Sequence, residues 1–329
     1  TILIGGCDVD TLTKMEAVAT IGSVSQHPFI FTGTVRDNLL YASSALNMAD
    51  TRNKLPDQGE IIDVIRDVGL SEDVVRWGLR STIHPRRAEA MIPSFLQMRK
   101  VLQKIVRQEF SQAVEFYDAT KFLNYSPLAV NIIFGSYGLA YSTKKLLANQ
   151  EFRTFIKEIE LENDLVELGA VIATETVSLL GKFGGDEFLF QGSPMKPEQI
   201  QDYQTITAKI KNGGKLASLR NKDQDRLLLL GLKFIPGIHK ITTLPSHLAA
   251  KIMTARTTFL LKIAKIDIES CSNGELQTDI KPLADNETAG DVAERFTPFC
   301  INQYIYSLTL RDNIIFGTII DQDLIGEKL

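Results

Sequence analysis

The chain has 329 residues, 36 basic and 40 acidic side chains, a formal net charge of −4 and 44% hydrophobic residues. That length admits one large or two ordinary domains with enough apolar content for a packed core, and the near-balanced charge excludes the one-signed field of a nonspecific nucleic-acid binder. No run reaches the roughly 18 apolar residues that span a bilayer; Leu227-Leu228-Leu229-Leu230 is short and flanked by Arg226 and Lys233.

In chain order, Ile2–Ile4 and Ile21–Val24 read as strands. Thr1 opens directly into the first of them, so the chain reads as a piece of a longer protein. Gln26 and Pro28 then lead to the aromatics Phe29 and Phe31. Thr34 and Asp37 stand at capping-box spacing: the hydroxyl can accept the third free N–H of a helix while the carboxylate reaches back to the cap N–H. A helix is therefore expected from Val35, with Asn38 in its first turn and Tyr41 on its inward face. The pattern returns. Thr309-Leu310-Arg311-Asp312-Asn313-Ile314-Ile315-Phe316-Gly317 copies residues 34–41 in type and order, and Val130-Asn131-Ile132-Ile133-Phe134-Gly135 is a weaker third copy. Thr309 and Asp312 repeat the cap, while in the middle copy Pro127 is expected as the first helical residue. Phe134 and Phe316 should be buried like Tyr41.

Between these copies most patterns are helical. Pro56 marks a loop over residues 53–59, and Ile61, Ile62, Ile65 and Val68 predict a helix from near Glu60 that Gly69 stops. Residues 65–78 echo residues 156–169 in phase. Further helices are predicted over residues 88–110, 146–180 with breaks, 197–210, 222–230 and 245–263. Trp77 and the phenylalanines at helical spacing read as core. Loops fall at residues 181–197, 212–214 and 271–290. Strand signals add only Val114–Tyr117 and Phe299–Ile301, so the expected fold is α+β, mostly α, with a small β element beside a large helical portion. Cys7, Cys271 and Cys300 show no CxxC spacing and read as reduced, and the four histidines form no ligand set.

The run Gln26-x-Pro28-Phe29-x-Phe31 followed by Thr34-Val35-Arg36-Asp37-Asn38 resembles the Q-loop region of ABC transporter nucleotide-binding domains, and Ile2 to Gly6 resembles the strand and turn before it. The remainder is similar to bacterial fused ABC proteins with a long helical insertion, carrying repeated Asn-x-x-Phe-Gly segments, between Q-loop and signature. Phe116-Tyr117-Asp118, Phe234-Ile235-Pro236 with His239, and Ala255-Arg256-x-x-Phe259 match parts of that insertion. The resemblance implies that residues 1–45 are the Q-loop part of a nucleotide-binding domain, and residues 46–329 a helical insertion with two degenerate Q-loop-like repeats. It implies that Gln26 touches the Mg²⁺ and attacking water of bound ATP, making it the catalytic, cofactor-binding and metal-contacting residue. It further implies a full-length parent at the cytoplasmic face of the bacterial inner membrane, with ATP and Mg²⁺ as cofactors. The implied partners are a transmembrane domain and a second nucleotide-binding domain.

The chain departs from the family elsewhere. Gly213-Gly214-Lys215-Leu216 has neither the spacing nor the hydroxyl of a P-loop, and neither Asp186-Glu187 nor Asp267 and Glu269 follow the buried strand a Walker B pair needs. No signature sequence is present, and Ala119 and Ile301 stand where Gln26 would repeat, although Gln303 is two residues from the latter. The chain alone is thus expected not to hydrolyse ATP. The alternative is a non-catalytic helical scaffold that binds a partner protein through its repeats.

Overall fold

The computed structural model describes residues 2–14, 16–17, 21–22, 25–49, 54–138, 142–181, 190, 192–265 and 296–321. The architecture is α+β and mostly α: among the described residues the strands are two or three residues long and form three two-stranded antiparallel sheets. Contacts gather into two compact units, Thr1–Leu79 and Arg80–Leu329.

In the first unit, β1 (Leu3–Ile4) turns through Gly5 and Gly6, both at positive φ, into β2 (Cys7–Asp8). Ile21 and Gly22 are irregular, and Ser23 and Val24 lie outside the described residues. Helix α1 (Val35–Leu39) starts where the capping box requires. The Thr34 hydroxyl accepts from Asp37 N at 3.1 Å, and Asp37 Oδ2 accepts from Thr34 N at 2.9 Å. Helix α2 (Tyr41–Ala49) follows at once. Helix α3 (Gln58–Asp67) begins two residues before Glu60 because Asp57 and Glu60 build a second capping box. Gly69, at φ +74°, ends it before α4 (Ser71–Leu79). Little apolar surface is buried here: Leu40 is the only apolar side chain classed as buried among the described residues of this unit. Two expectations fail for that reason. Tyr41 is 58% exposed, and Trp77 is 52% exposed instead of core.

In the second unit, α5 (Pro85–Ala88) and α6 (Ile92–Glu109) lead to β3 (Val114–Phe116), then α7 (Leu128–Ile133) and β4 (Gly135–Tyr137). Helices α8 (Thr143–Ala148), α9 (Gln150–Glu158), α10 (Leu161–Leu180), α11 (Ile200–Lys211), α12 (Asn221–Lys233) and α13 (Ser246–Lys262) follow. β5 (Phe296–Pro298), α14 (Leu310–Ile315) and β6 (Gly317–Ile319) close it. Pro127 is the cap of α7 and not its first helical residue. The strand expected at Phe299–Ile301 lies three residues earlier, as β5, and β4 and β6 were not anticipated. Cys300 is disulfide-bonded, against the reduced state expected. The loop expected at residues 271–290 and the acidic pairs Asp186-Glu187 and Asp267/Glu269 lie outside the described residues.

The main core joins α7 to α13, with Phe152, Phe155, Ile172, Leu227, Phe234, Ile252 and Phe259 buried. Helices α10 and α12 meet backbone to backbone. A Cβ on Gly169 would overlap the Leu227 carbonyl, and one on Gly231 would overlap the Leu165 carbonyl, so only glycine permits this approach. The echo of residues 65–78 in 156–169 is real at the turn: Glu160, at φ +56°, holds the left-handed position that Gly69 holds in the first unit.

Candidate functional site

Each Asn of the three copies grips the loop before its own helix. In the middle copy Asn131 Oδ1 accepts from Leu123 N at 2.8 Å, while Nδ2 donates to Leu123 O, Ser126 O and Pro127 O. In the last copy Asn313 Oδ1 accepts from Ile305 N at 2.8 Å, and Nδ2 donates to Ile305 O, Leu308 O and Thr309 O. In the first copy the loop is one residue shorter. Asn38 Oδ1 accepts from Phe31 N at 2.8 Å, and Nδ2 donates to Phe31 O and Thr34 O. An amide suits this role because it offers acceptor and donors in one plane, pairing an N–H and a C=O of the same residue as a strand neighbour would.

In the second unit a buried arginine locks each grip. Arg256, on α13, donates through Nε to Asn131 O at 2.8 Å, through Nη1 to Ala119 O and Lys121 O, and through Nη2 to Asn131 Oδ1. Arg99, on α6, donates through Nε to Asn313 O at 2.7 Å, through Nη1 to Ile301 O and Gln303 O, and through Nη2 to Asn313 Oδ1. Each guanidinium also lies over the ring three residues after its Asn, Arg256 at 4.8 Å from Phe134 and Arg99 at 4.4 Å from Phe316. Burial pulls both guanidiniums down to about 10, so each remains charged at neutral pH. Carbonyl dipoles and a ring face satisfy these charges, and among the described residues no carboxylate is hydrogen-bonded to either guanidinium, although Asp118 and Glu115 favour the charge of Arg256 from a distance.

The pairing is crossed. α6 precedes β3 and α7, yet its arginine holds α14; α13 precedes β5 and α14, yet its arginine holds α7. The strands cross likewise, β3 pairing β6 and β4 pairing β5, both antiparallel. Corresponding residues take corresponding places throughout: Phe134 and Phe316 are both left-handed, at φ 41° and 55°. Their carbonyls accept from Phe299 N and Tyr117 N respectively. A Cβ on Gly135 would overlap Thr297 O, and one on Gly317 would come within 2.6 Å of Glu115 O. Tyr117 and Phe299, equivalent in the two segments, stack on each other at 4.1 Å. The two segments thus form an interlocked pseudo-two-fold pair.

Gln26 sits in an exposed bend, and its side chain makes no hydrogen bond among the described residues. One neutral amide oxygen is a single ligand where Mg²⁺ needs about six, and no group of three or more His, Cys, Asp or Glu side chains is gathered among the described residues. The described residues therefore do not by themselves form an Mg-ATP site. Ala119 and Ile301, in the Gln26 positions of the other copies, contribute backbone carbonyls to the arginines, a structural use.

A cleft of about 300 Å³ is lined by Arg153, Glu162, Asn163, Gln224 and Asp225. Arg153 within it is already paired with both Asp225 and Glu162, and Glu167 also lines it. His239 is buried and accepts at Nδ1 from Ile235 N, and desolvation pushes its titration down to about 4, so it stays neutral and closes a turn. Glu115 is raised by burial, opposed by the N–H groups of Asn124 and Tyr125 that its carboxylate accepts from.

Neither arginine was assigned a role by the sequence reading. The available signal was helical phase: Arg99 shares a face with Phe95, Leu102 and Val106, and Arg256 with Leu248, Ile252 and Phe259, where an apolar residue is normal. No helix among the described residues is long and apolar enough to cross a membrane. Comparison with protein-family models, curated proteins and solved structures returns no match.

Proposed function

We propose that this chain is a segment of a bacterial ABC transporter ATP-binding subunit. In the full-length protein that subunit couples ATP binding and hydrolysis to transport from the cytoplasmic face of the inner membrane, with a transmembrane domain and a second nucleotide-binding domain as partners. The observation that carries the reading is the junction at residues 25–39. The Gln26 amide makes no hydrogen bond among the described residues and is exposed in the bend that leads, through Pro28 to Gly33, to a helix fixed by the Thr34 and Asp37 capping box. That placement suits a residue that senses a nucleotide completed by other segments. The sequence carries no P-loop pattern, so on this reading the chain's own contribution is positional. Titration calorimetry of this chain with Mg-ATP should show no binding, and a dissociation constant in the low micromolar range would overturn the segment reading. In the full-length parent, Gln26→Ala should lower turnover more than nucleotide affinity, because the amide orients water and metal while the triphosphate is held elsewhere; equal loss of both, or no loss, would reduce Gln26 to a turn residue.

A second reading, a non-catalytic helical scaffold, is favoured by the second unit. There both Asn repeats and both arginines are consumed in holding the fold, leaving a rigid body without a reactive cluster among its described residues. Extension of the reading frame separates the two: a P-loop upstream with a signature and Walker B downstream supports the first, and their absence the second.

A further inference from the structure

Helix α6 carries apolar side chains on two sides, and the core covers one of them. Arg99, Gln103 and Val106 are buried on the side that holds α14. On another side Met98, Val101 and Ile105 are between 42% and 58% exposed, and Met91, at the cap of the helix, is 44% exposed. Their spacing is that of a heptad: Met91, Met98 and Ile105 recur every seven residues and Val101 falls three after Met98, so the four share one seam. At 1.5 Å per residue the seam runs about 21 Å. None of the four joins a core cluster of the described residues.

The flank of this seam that lies away from the core is basic. Lys100, Lys104 and Arg107 follow one another along it, all exposed, and Glu109, the last residue of α6, is the only acidic side chain in the helix. Lys100 and Lys104 enter no ion pair among the described residues. Arg107 lies over the Phe116 ring at 4.4 Å, which fixes its stem and leaves its charge without a carboxylate there. An apolar seam exposed beside cations of one sign is the surface that a partner of opposite charge would cover.

We infer that this seam of α6 is a docking site for one amphipathic helix of another protein, apolar at its own heptad positions and acidic on the flank that meets Lys100, Lys104 and Arg107. The seam is two residues wide, which a single helix covers by setting its knobs between the exposed side chains, and it is narrower than the apolar face with which a helix lies in a bilayer interface. A second copy of this chain fits poorly, because its α6 would bring no carboxylate but Glu109 to three cations. The chain's own acidic run, residues 266–295, is interrupted by Gly274, Pro282 and Gly290, so its sequence offers no unbroken helical pattern of the seam's length. The inference rests on this face of α6 and on neither reading of the chain's function.

The probe is a synthetic three-heptad peptide with isoleucine at a, leucine at d and glutamate at e and g, labelled with fluorescein and titrated into the whole chain by anisotropy. Saturable binding is expected, weakened about tenfold or more by Val101→Glu and by Lys104→Glu in the chain, and weakened by added salt. A peptide with the same core and lysine at e and g should bind about tenfold more weakly or worse. Both substitutions fall on exposed positions and leave Arg99 and Val106 in place, so an unchanged thermal midpoint shows an intact fold, and Ile105→Gln replaces Val101→Glu if that variant lowers it. No saturable binding, equal binding of the acidic and basic peptides, or binding indifferent to the chain variants would overturn the proposal. Self-association in the ultracentrifuge that Val101→Glu abolishes would overturn it by making a second copy the occupant. Co-sedimentation with phosphatidylserine vesicles that Val101→Glu abolishes would overturn it in favour of a bilayer.

Discussion

Arg256 and Asn131, 125 residues apart in sequence, are joined by two hydrogen bonds, Nε to the Asn carbonyl at 2.8 Å and Nη2 to its Oδ1 at 2.7 Å. Arg99 and Asn313, 214 residues apart, repeat the pair with the order of helix and turn exchanged between the two segments. Neither segment can therefore complete its core alone, and the second unit should fold as one cooperative body.

Removal of either arginine leaves several buried carbonyls and an amide oxygen short of a donor. Arg256→Ala should cost about 3 kcal/mol or more, and Arg256→Lys nearly as much, since a single ammonium cannot span Ala119, Lys121 and Asn131. Urea denaturation checks this. The cycle of Arg256→Ala with Asn131→Ala should show strong coupling, whereas Arg256→Ala with Asn313→Ala should be nearer to additive.

Gly135→Ala and Gly317→Ala place a methyl against the facing strand, where Gly317 has 2.6 Å to Glu115 O and Gly135 still less room to Thr297 O. Each should destabilise by roughly 2 kcal/mol or more, read as a fall in the thermal midpoint. Gly78→Ala, with open space around it, should be neutral or mildly stabilising.

His239 makes stability depend on pH. Its folded titration is depressed to about 4 by desolvation, below the ordinary 6.5. The unfolded chain therefore takes up a proton that the folded chain refuses, so stability is full above about pH 6.5 and falls as pH drops towards 4. After allowance for residual solvent screening the loss is roughly 1–2 kcal/mol. His239→Asn should remove this part of the slope in denaturation measured at a series of pH values, at some cost in stability at neutral pH from altering the bond to Ile235 N.

Thr34→Ala should weaken α1 by about 1 kcal/mol through loss of the cap, seen as faster amide exchange at Asp37, whose N–H the hydroxyl accepts. Thr309→Ala removes the same bond to Asp312 N in a helix held by Arg99. Exchange there should change less, because tertiary contacts carry α14.

What the sequence by itself determined is local. Caps at Thr34 and Thr309, the stop at Gly69, most helices and the recurrence of Asn38, Asn131 and Asn313 are all written within windows of about ten residues, where hydrogen bonds and side-chain periodicity act. The mostly helical α+β class followed from them. Tertiary structure alone decided the rest. Three-residue strands such as Gly135–Tyr137 carry no period of their own and exist because a partner strand more than a hundred residues away binds them. Phe134 and Phe316 are left-handed and buried because their carbonyls must meet that partner, while Tyr41, followed by Ala42 where those two are followed by glycine, has no strand to meet among the described residues and is helical and exposed. The two arginines belong to the same category. A charge on an apolar helix face is unfavourable until distant carbonyls turn towards it, and those carbonyls come together only when the two segments interlock.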